Sequence, residues 1–175
     1  MSIGLLLLRV VVGALFVGHG TQKLFGWFGG HGLDGTGAWM ESLGFRRGRV
    51  WAGVAGLAES LGGLLLALGF LTPLAAAAIV GVMTTAVLAV HLRNGVWNSN
   101  GGYELPLVYA TAATALAFTG PGAYSLDRMI GLAIDPVTSG VLALVLGLLA
   151  GTLVNALRAE PVAAETPSPE ERVAA

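Results

Sequence analysis

The stretch LGGLLLALGFLTPLAAAAIVG (residues 61–81) joins two long apolar segments, which only Thr72 and Pro73 separate. Proline lacks a backbone N–H and cannot continue a helix, so this stretch predicts two helices in a tight antiparallel hairpin. Five apolar segments in all are long enough to cross a bilayer, which takes about 20 residues of helix. They cover residues 3–22, 50–71, 73–92, 104–120 and 137–157. The chain is therefore predicted to be an all-α integral membrane helical bundle.

The composition of the chain points to the same class of protein. Of its 175 residues, 55% are hydrophobic and only 11% are charged, whereas soluble domains carry about 25% charged residues. A net charge of −1 without a basic stripe argues against a nucleic-acid partner. The chain has no cysteine, so a redox role would require a bound cofactor rather than thiol or iron–sulfur chemistry.

The order of the segments predicts how the chain crosses the membrane. If successive helices alternate in direction, residues 23–49, residues 93–103 and the C-terminal tail share one side, here called side B. The N-terminus then lies on the opposite side, side A. Side B holds seven of the nine basic residues: Lys23, Arg46, Arg47, Arg49, Arg93, Arg158 and Arg172. The positive-inside rule accordingly predicts that side B and the C-terminus are cytoplasmic, and all four tryptophans also fall on this side.

Three further features bear on how the helices are arranged. The second half of residues 24–45 is predicted to form a short amphipathic helix in the membrane surface. The tail, residues 158–175, is rich in Pro, Ala and Glu and is predicted to be disordered. Small residues recur at intervals of four, which predicts close helix packing within the bundle. These residues are Ala52, Gly56 and Ser60, and then Ala143, Gly147 and Gly151.

Two ionisable residues fall within the apolar segments. Arg9 is part of the first segment, which is interpreted as a retained helix because it contains this charge and no clear cleavage site follows it. Glu59 lies near the middle of the second segment. An intramembrane charge costs about 2.5–3.5 kcal/mol on insertion scales, so the two side chains are predicted to pair. Such a pair serves either the structure or the function of a membrane protein.

Polar side chains also gather toward side B. His19 and Lys23 end the first segment, His91 ends the third and Glu104 opens the fourth, with Glu59 deeper in the membrane. Histidine shuttles protons near neutral pH, and the two carbonyls of a quinone head group need hydrogen-bond donors. The set is therefore a candidate quinone site, although Lys and His are also typical of helix ends at a membrane interface.

These residues occur in motifs that resemble the DoxX family of bacterial membrane proteins. The similar stretches are RVVVGALFVGHGTQKLFG, GLAESLGGLLLALGFLTPLAA, HLRNGVWNSNGGYELPL and GPGAYSLD, which together span residues 9–127. The resemblance implies a four-helix transmembrane domain over residues 1–131, to which this chain adds a peripheral transmembrane helix over residues 137–157. It also implies a link to quinone-dependent oxidoreduction or to complexes that handle oxidative or thiol stress.

The resulting hypothesis is a multi-pass protein of the bacterial cell membrane that serves as a small subunit or membrane anchor of a quinone-linked oxidoreductase or oxidative-stress complex. Glu59 and His91 are the predicted proton-handling residues, and Arg9 is predicted to keep Glu59 ionised. The predicted ligand-binding residues are Arg9, His19, Lys23 and Glu104. The expected cofactor is a bound quinone, and the expected partners are the lipid bilayer and other membrane or soluble redox subunits.

Two other functions stay open from the sequence. The chain could be a non-catalytic scaffold for soluble redox partners, or a carrier of protons or small molecules, because intramembrane carboxylates also occur on transport paths. No metal site is predicted, since neither Glu59 nor Glu104 is followed by a histidine three residues later. Whether the chain is catalytic by itself is left undecided by these patterns.

Overall fold

The computed structural model describes residues 2–159, in which all regular secondary structure is helical. The α-helices are α1 (Ser2–Phe25), α2 (Gly32–Ser42), α3 (Gly48–Leu68), α4 (Thr72–Ala86), α5 (Glu104–Thr119), α6 (Leu126–Met129) and α7 (Pro136–Ala156). A π-helical turn, Val87–His91, and a 3-10 turn, Leu92–Asn94, continue α4. The predicted all-α fold is confirmed, and the proline at residue 73 lies in the first turn of α4 as the hairpin required.

Within the described residues, 2–159, four helical segments are long and apolar enough to cross a membrane. They are Ile3–Phe25, Gly48–Leu68, Thr72–Asn94 and Pro136–Ala156. The fifth predicted span forms a helix at the expected place, but the 16 residues of α5 extend only about 24 Å. That is less than the hydrocarbon thickness of about 30 Å. Helix α5 nevertheless leads from residues 95–103, beside His91 at side B, to Pro121, beside Arg9 at side A, so the fifth crossing of the membrane stays a prediction.

Helices α1 and α3 lie antiparallel and in close contact along one face. Gly13 packs against the backbone of Gly63, and Gly20 packs against Gly56 and Ser60. A Cβ atom at either glycine of α1 would collide with α3, so the glycines are what permits this approach. Gly56 and Ser60 therefore pack within the bundle, as the spacing of small residues in α3 predicted.

Helix α7 is built into the bundle and is not peripheral. Ala143, Gly147 and Gly151 form its buried face, where Gly147 contacts Val80 of α4 and Gly151 contacts Thr84. These small residues allow α7 to lie directly on α4, and α7 also packs against α5. The prediction of an additional helix is thus correct in position, but the prediction that it lies outside the packed bundle is wrong.

The hydrophobic core lies where α1, α3, α4 and α5 meet. Phe16 of α1 is 1% exposed and stacks edge-on against Tyr109 of α5 with 5.4 Å between ring centroids. The other large buried side chains come from three different helices. They are Leu66, Ile79, Val80 and Leu116. Elsewhere the helices expose large apolar side chains, as expected for surfaces that face lipid.

The end of α7 reaches the segment that joins α2 to α3. Arg158 Nε donates to the carbonyl oxygen of Leu43 at 2.7 Å, and the backbone N–H of Ala159 donates to the carbonyl oxygen of Gly44 at 2.9 Å. The end of α7 and the loop 23–49 therefore lie at the same end of the bundle. Residues 158 and 159 are held by these bonds, contrary to the predicted tail boundary, and residues 160–175 lie outside the described residues.

The predicted helix after the first span is present as α2, which packs across α3. Glu41 at its end accepts a hydrogen bond from the backbone N–H of Gly48 at 2.9 Å, which satisfies a donor at the start of α3. Asp34 and Arg49 form an exposed ion pair between the same two helices. The position of α2 in the membrane surface stays a prediction.

Candidate functional site

A cavity of about 490 Å³ lies in the side-B half of the bundle, and we call it the inner cavity. Four of the six predicted site residues line it: His19, Lys23, Glu59 and His91. Most of the remaining wall is apolar or aromatic and includes Phe16, Trp39, Trp51, Met83 and Tyr109. A largely apolar cavity of roughly 300–1,000 Å³ with a few convergent polar groups is typical of small-molecule sites.

Glu59 and Lys23 form the ionic pair of this cavity. The Lys23 Nζ atom lies 2.6 Å from Glu59 Oε2, and the two side chains are 23% and 3% exposed. A carboxylate buried to this degree requires a partner, because removing a charge from water is costly unless it is paired. Lys23 supplies that partner from the last turn of α1, so the lysine of the GHGTQKLFG stretch (residues 18–26) reaches into the bundle.

The predicted pairing of Arg9 with Glu59 is wrong. Arg9 lies beside Gly69, at the end of α3, whereas Glu59 precedes Gly69 by ten residues, about 15 Å along a helix. The antiparallel register of α1 and α3 thus separates the two charges by more than an arginine side chain bridges. The buried Arg9 guanidinium donates instead to the carbonyl oxygens of Pro121, at 2.6 Å, and Tyr124.

The hydrogen bonds of the two histidines determine which ring nitrogen is left for a ligand. His91 Nδ1 lies 2.7 Å from the carbonyl oxygen of Gly101, and a carbonyl only accepts, so Nδ1 carries a proton. His19 Nδ1 lies 3.2 Å from Gln22 Oε1, while Gln22 Nε2 donates to the carbonyl oxygen of Phe28. Both imidazoles therefore keep Nε2 as the atom that accepts when neutral and donates when protonated.

The local backbone positions His91 at the edge of the inner cavity. It ends the π-helical turn Val87–His91, and such turns often occur at functional sites because they widen a helix locally. The Gly101 carbonyl that anchors His91 also accepts from Asn94 Nδ2 at 3.1 Å. The imidazole is thus held between its own helix and the loop 95–103.

Glu104 does not line the inner cavity but contacts a residue that does. Its Oε2 atom accepts a hydrogen bond from the backbone N–H of Asn98 at 2.9 Å, and its own N–H donates to the carbonyl oxygen of Val96. Asn98 lines the inner cavity and Glu104 does not. The structure therefore places Glu104 as a residue that orders the loop 95–103, rather than as part of the cavity wall.

The sequence analysis missed a buried polar cluster at side A. The carboxylate of Asp127 accepts from the N–H groups of Leu71 and Thr72, at 2.8 and 3.1 Å, and from the Thr72 hydroxyl at 2.8 Å. We call this carboxylate, its donors and Arg9 the side-A cluster. A signal for it was available, since α4 begins after Leu71, which has no side-chain acceptor to cap the exposed N–H groups.

Within residues 2–159, no group of three His, Asp or Glu side chains lies close enough together to hold a metal ion. His31 is exposed at the start of α2 and is not part of the inner cavity.

The fold and this cavity define a multi-pass α-helical membrane protein with a small-molecule-sized polar site at one end. The sequence profile of the DoxX family matches residues 4–92, which contain α1 to α4 and the π-helical turn. The chain belongs to the DoxX family. The resemblance seen in the motifs is thereby confirmed, and the match leaves Glu104, Asp127 and α7 outside the profile.

Several relatives are similar over most of their length. The inner membrane protein YphA of Escherichia coli strain K12 is 35% identical over 71% of this chain and 88% of its own. The inner membrane protein YqjF of the same strain is 29% identical over 74% of this chain and 93% of its own. An uncharacterized membrane protein of Mycobacterium tuberculosis, Rv3486, is 29% identical over 70% of this chain and 78% of its own. No solved structure matches the chain.

Proposed function

We propose that this chain is a small subunit of a quinone-linked oxidoreductase or oxidative-stress complex in the bacterial membrane, and that its inner cavity binds a quinone head group. The observation that carries the proposal is the composition of the cavity wall. One ammonium, one carboxylate and two imidazoles line a cavity of about 490 Å³ among aromatic side chains. These groups offer the donors that two quinone carbonyls need and the flat apolar surface that a quinone ring needs.

The residues of the cavity fit a quinone by their hydrogen-bonding capacity. Lys23 has three N–H donors, of which one is directed to Glu59. His91 and His19 each use Nδ1 in the protein, which leaves Nε2 for a carbonyl oxygen when the ring is protonated. A bound quinone would supply the electron-carrying chemistry, since it takes up two electrons and two protons on reduction.

The protein's part is to hold the head group and to move protons. His91 Nε2 is the proposed proton donor, because its Nδ1–H bond to Gly101 fixes the ring in place. Lys23 keeps Glu59 ionised, which is the role that the sequence analysis had given to Arg9, and Glu59 in turn holds the Lys23 ammonium at the cavity wall. The partner subunits and the cytoplasmic location of side B belong to the same proposal. The basic residues of side B support the cytoplasmic location.

Tryptophan fluorescence offers a direct test of quinone binding. Trp39 and Trp51 line the inner cavity, whereas Trp27 and Trp97 do not, so the double variant Trp27→Phe/Trp97→Phe retains only reporters at the site. Titration of this purified variant with a short-tailed menaquinone analogue should give saturable quenching. His91→Ala should weaken the apparent affinity on the order of tenfold, the equivalent of about one hydrogen bond to a charged donor.

The matched control is His31→Ala, which removes an exposed imidazole outside the cavity and should leave quenching unchanged. Quenching that rises linearly with quinone concentration and is equal in all variants would show collisions only. That outcome contradicts quinone binding and favours the scaffold alternative.

A further inference from the structure

A second cavity of about 490 Å³ lies between α4, α5 and α7, and we call it the outer groove. Its lining, drawn from the described residues, contains no charged side chain. The hydroxyls of Thr84 and Thr114 lie in this lining, but they donate to the carbonyl oxygens of Val80 and Ala110 at 2.7 and 2.8 Å. These two hydroxyls are already bonded within their own helices, and Thr111 is the one other residue of this lining with a polar side chain. The outer groove therefore presents mostly hydrocarbon to an occupant.

The outer groove adjoins the inner cavity. Met83 of α4 and Pro106 of α5 line both spaces, so these two residues form the partition between them. A methionine side chain is unbranched and adapts its shape readily, which makes Met83 a partition that can shift without breaking a hydrogen bond. The π-helical turn begins four residues after Met83, where α4 is already widened.

We infer that the outer groove holds the hydrocarbon tail of the ligand whose head group lies in the inner cavity, with the tail passing between Met83 and Pro106. This inference rests on the proposed function and specifies its ligand as a long-tailed, membrane-resident quinone. The polar head belongs with Lys23, Glu59 and the imidazoles, and the apolar tail belongs in the adjoining space, whose lining is apolar except for three threonines. Helix α7 would thereby contribute to ligand binding, since its residues Leu144 and Leu148 form one wall of the outer groove.

Photo-crosslinking tests the path of the tail. The probe is a menaquinone analogue with a diazirine near the end of a short prenyl tail, added to the full-length protein in lipid nanodiscs. After illumination, peptide mapping should locate the label on the segments that line the outer groove, residues 80–88, 106–118 and 144–148. An excess of a tail-less analogue should suppress this labelling, because both compounds compete for the inner cavity.

Each other outcome separates this inference from the proposed function. Labelling of the outer groove that the tail-less analogue does not suppress would mean that the groove takes any hydrocarbon chain, such as a lipid acyl chain, and would overturn the inference. Saturable fluorescence quenching with label elsewhere would overturn the tail path and leave the quinone site intact. Absence of saturable quenching would overturn the proposed function, and the inference with it.

A variant series gives a second, independent measurement. Ala115 and Thr111 lie in the outer groove on exposed positions of α5, so Ala115→Phe and Thr111→Phe fill the groove without overpacking the core. Both should reduce the affinity for the long-tailed quinone on the order of tenfold and leave the tail-less analogue unaffected. Val108→Phe is the matched control, since Val108 is exposed on the same helix and lines neither space. Equal effects of all three variants would contradict the inference.

Discussion

The side-A cluster and the inner cavity contain similar residues but differ in how many of their polar atoms already have partners. In the side-A cluster, Asp127 accepts three hydrogen bonds and both terminal nitrogens of Arg9 donate to carbonyl oxygens; only the Nε atom of Arg9 lacks a partner among the described residues. In the inner cavity, Lys23 and two imidazoles retain donors or acceptors that no group within residues 2–159 uses. A buried charge with all of its partners in the protein serves the fold, whereas polar groups with spare capacity beside a cavity are suited to a ligand.

The largest expected effect is on stability at side A. Asp127→Ala removes the acceptor of three buried donors at Leu71 and Thr72, so we expect the free energy of unfolding to fall by about 3–5 kcal/mol. The measurement is thermal unfolding in detergent. Asp34→Ala is the matched control, because this aspartate is in an exposed ion pair that should contribute no more than about 1 kcal/mol. Equal losses in the two variants would contradict the structural role of the side-A cluster.

The second largest expected effect distinguishes the contribution of Glu59 to stability from its contribution to quinone binding. Glu59→Gln leaves the Lys23 ammonium without its carboxylate, and we expect a loss of about 1–3 kcal/mol in stability together with weaker quinone binding. Adding Lys23→Met removes the unpaired charge, so the double variant should regain stability but not quinone affinity. Thermal unfolding and fluorescence titration measure the two quantities. If the double variant regains both, the pair is structural only and the comparison between the two regions fails.

A smaller effect tests the orientation of His19. Gln22→Leu removes the amide that holds the His19 ring, so we expect the quinone affinity to fall about fivefold, the value of one net hydrogen bond. The control is a double-mutant cycle, which isolates coupling between neighbours. In a His19→Ala background the same substitution should have no further effect, and a persistent effect would assign Gln22 a role of its own.

The smallest effect concerns pH at side A. The backbone N–H and the hydroxyl of Thr138 donate to Asp135 at the start of α7 and hold the pKa of this exposed carboxyl below its ordinary value of 3.8. A lowered pKa stabilises the fold above the ordinary value, and the contribution is lost as the pH falls through the lowered value. The difference in unfolding midpoint between the wild type and Asp135→Ala should therefore be constant at neutral pH and disappear in acid, with quinone binding unchanged throughout. A difference that persists in acid would contradict this assignment.

Much of the candidate site was predictable because it depends on position along helices. His19, Lys23, Glu59 and His91 were chosen from their depth in apolar segments, and all four line the inner cavity. Glu104 lies at side B as predicted, but its carboxylate accepts a hydrogen bond from the loop 95–103 instead of lining the cavity. Arg9 was misassigned, because depth alone does not state which residue of a neighbouring helix lies beside a given side chain.

By itself the sequence determined the class of protein and the hairpin of α3 and α4, and the resemblance of its motifs indicated the family. The class and the hairpin follow from local quantities: the length of apolar segments and the proline at residue 73. The partners of the buried charges were decided only by the tertiary structure. Gly13 and Gly20 determine the register in which α1 packs against α3. This register places Arg9 in the side-A cluster and Lys23 beside Glu59. Pairing between helices depends on distances of a few ångströms across the bundle, which no pattern along one helix contains.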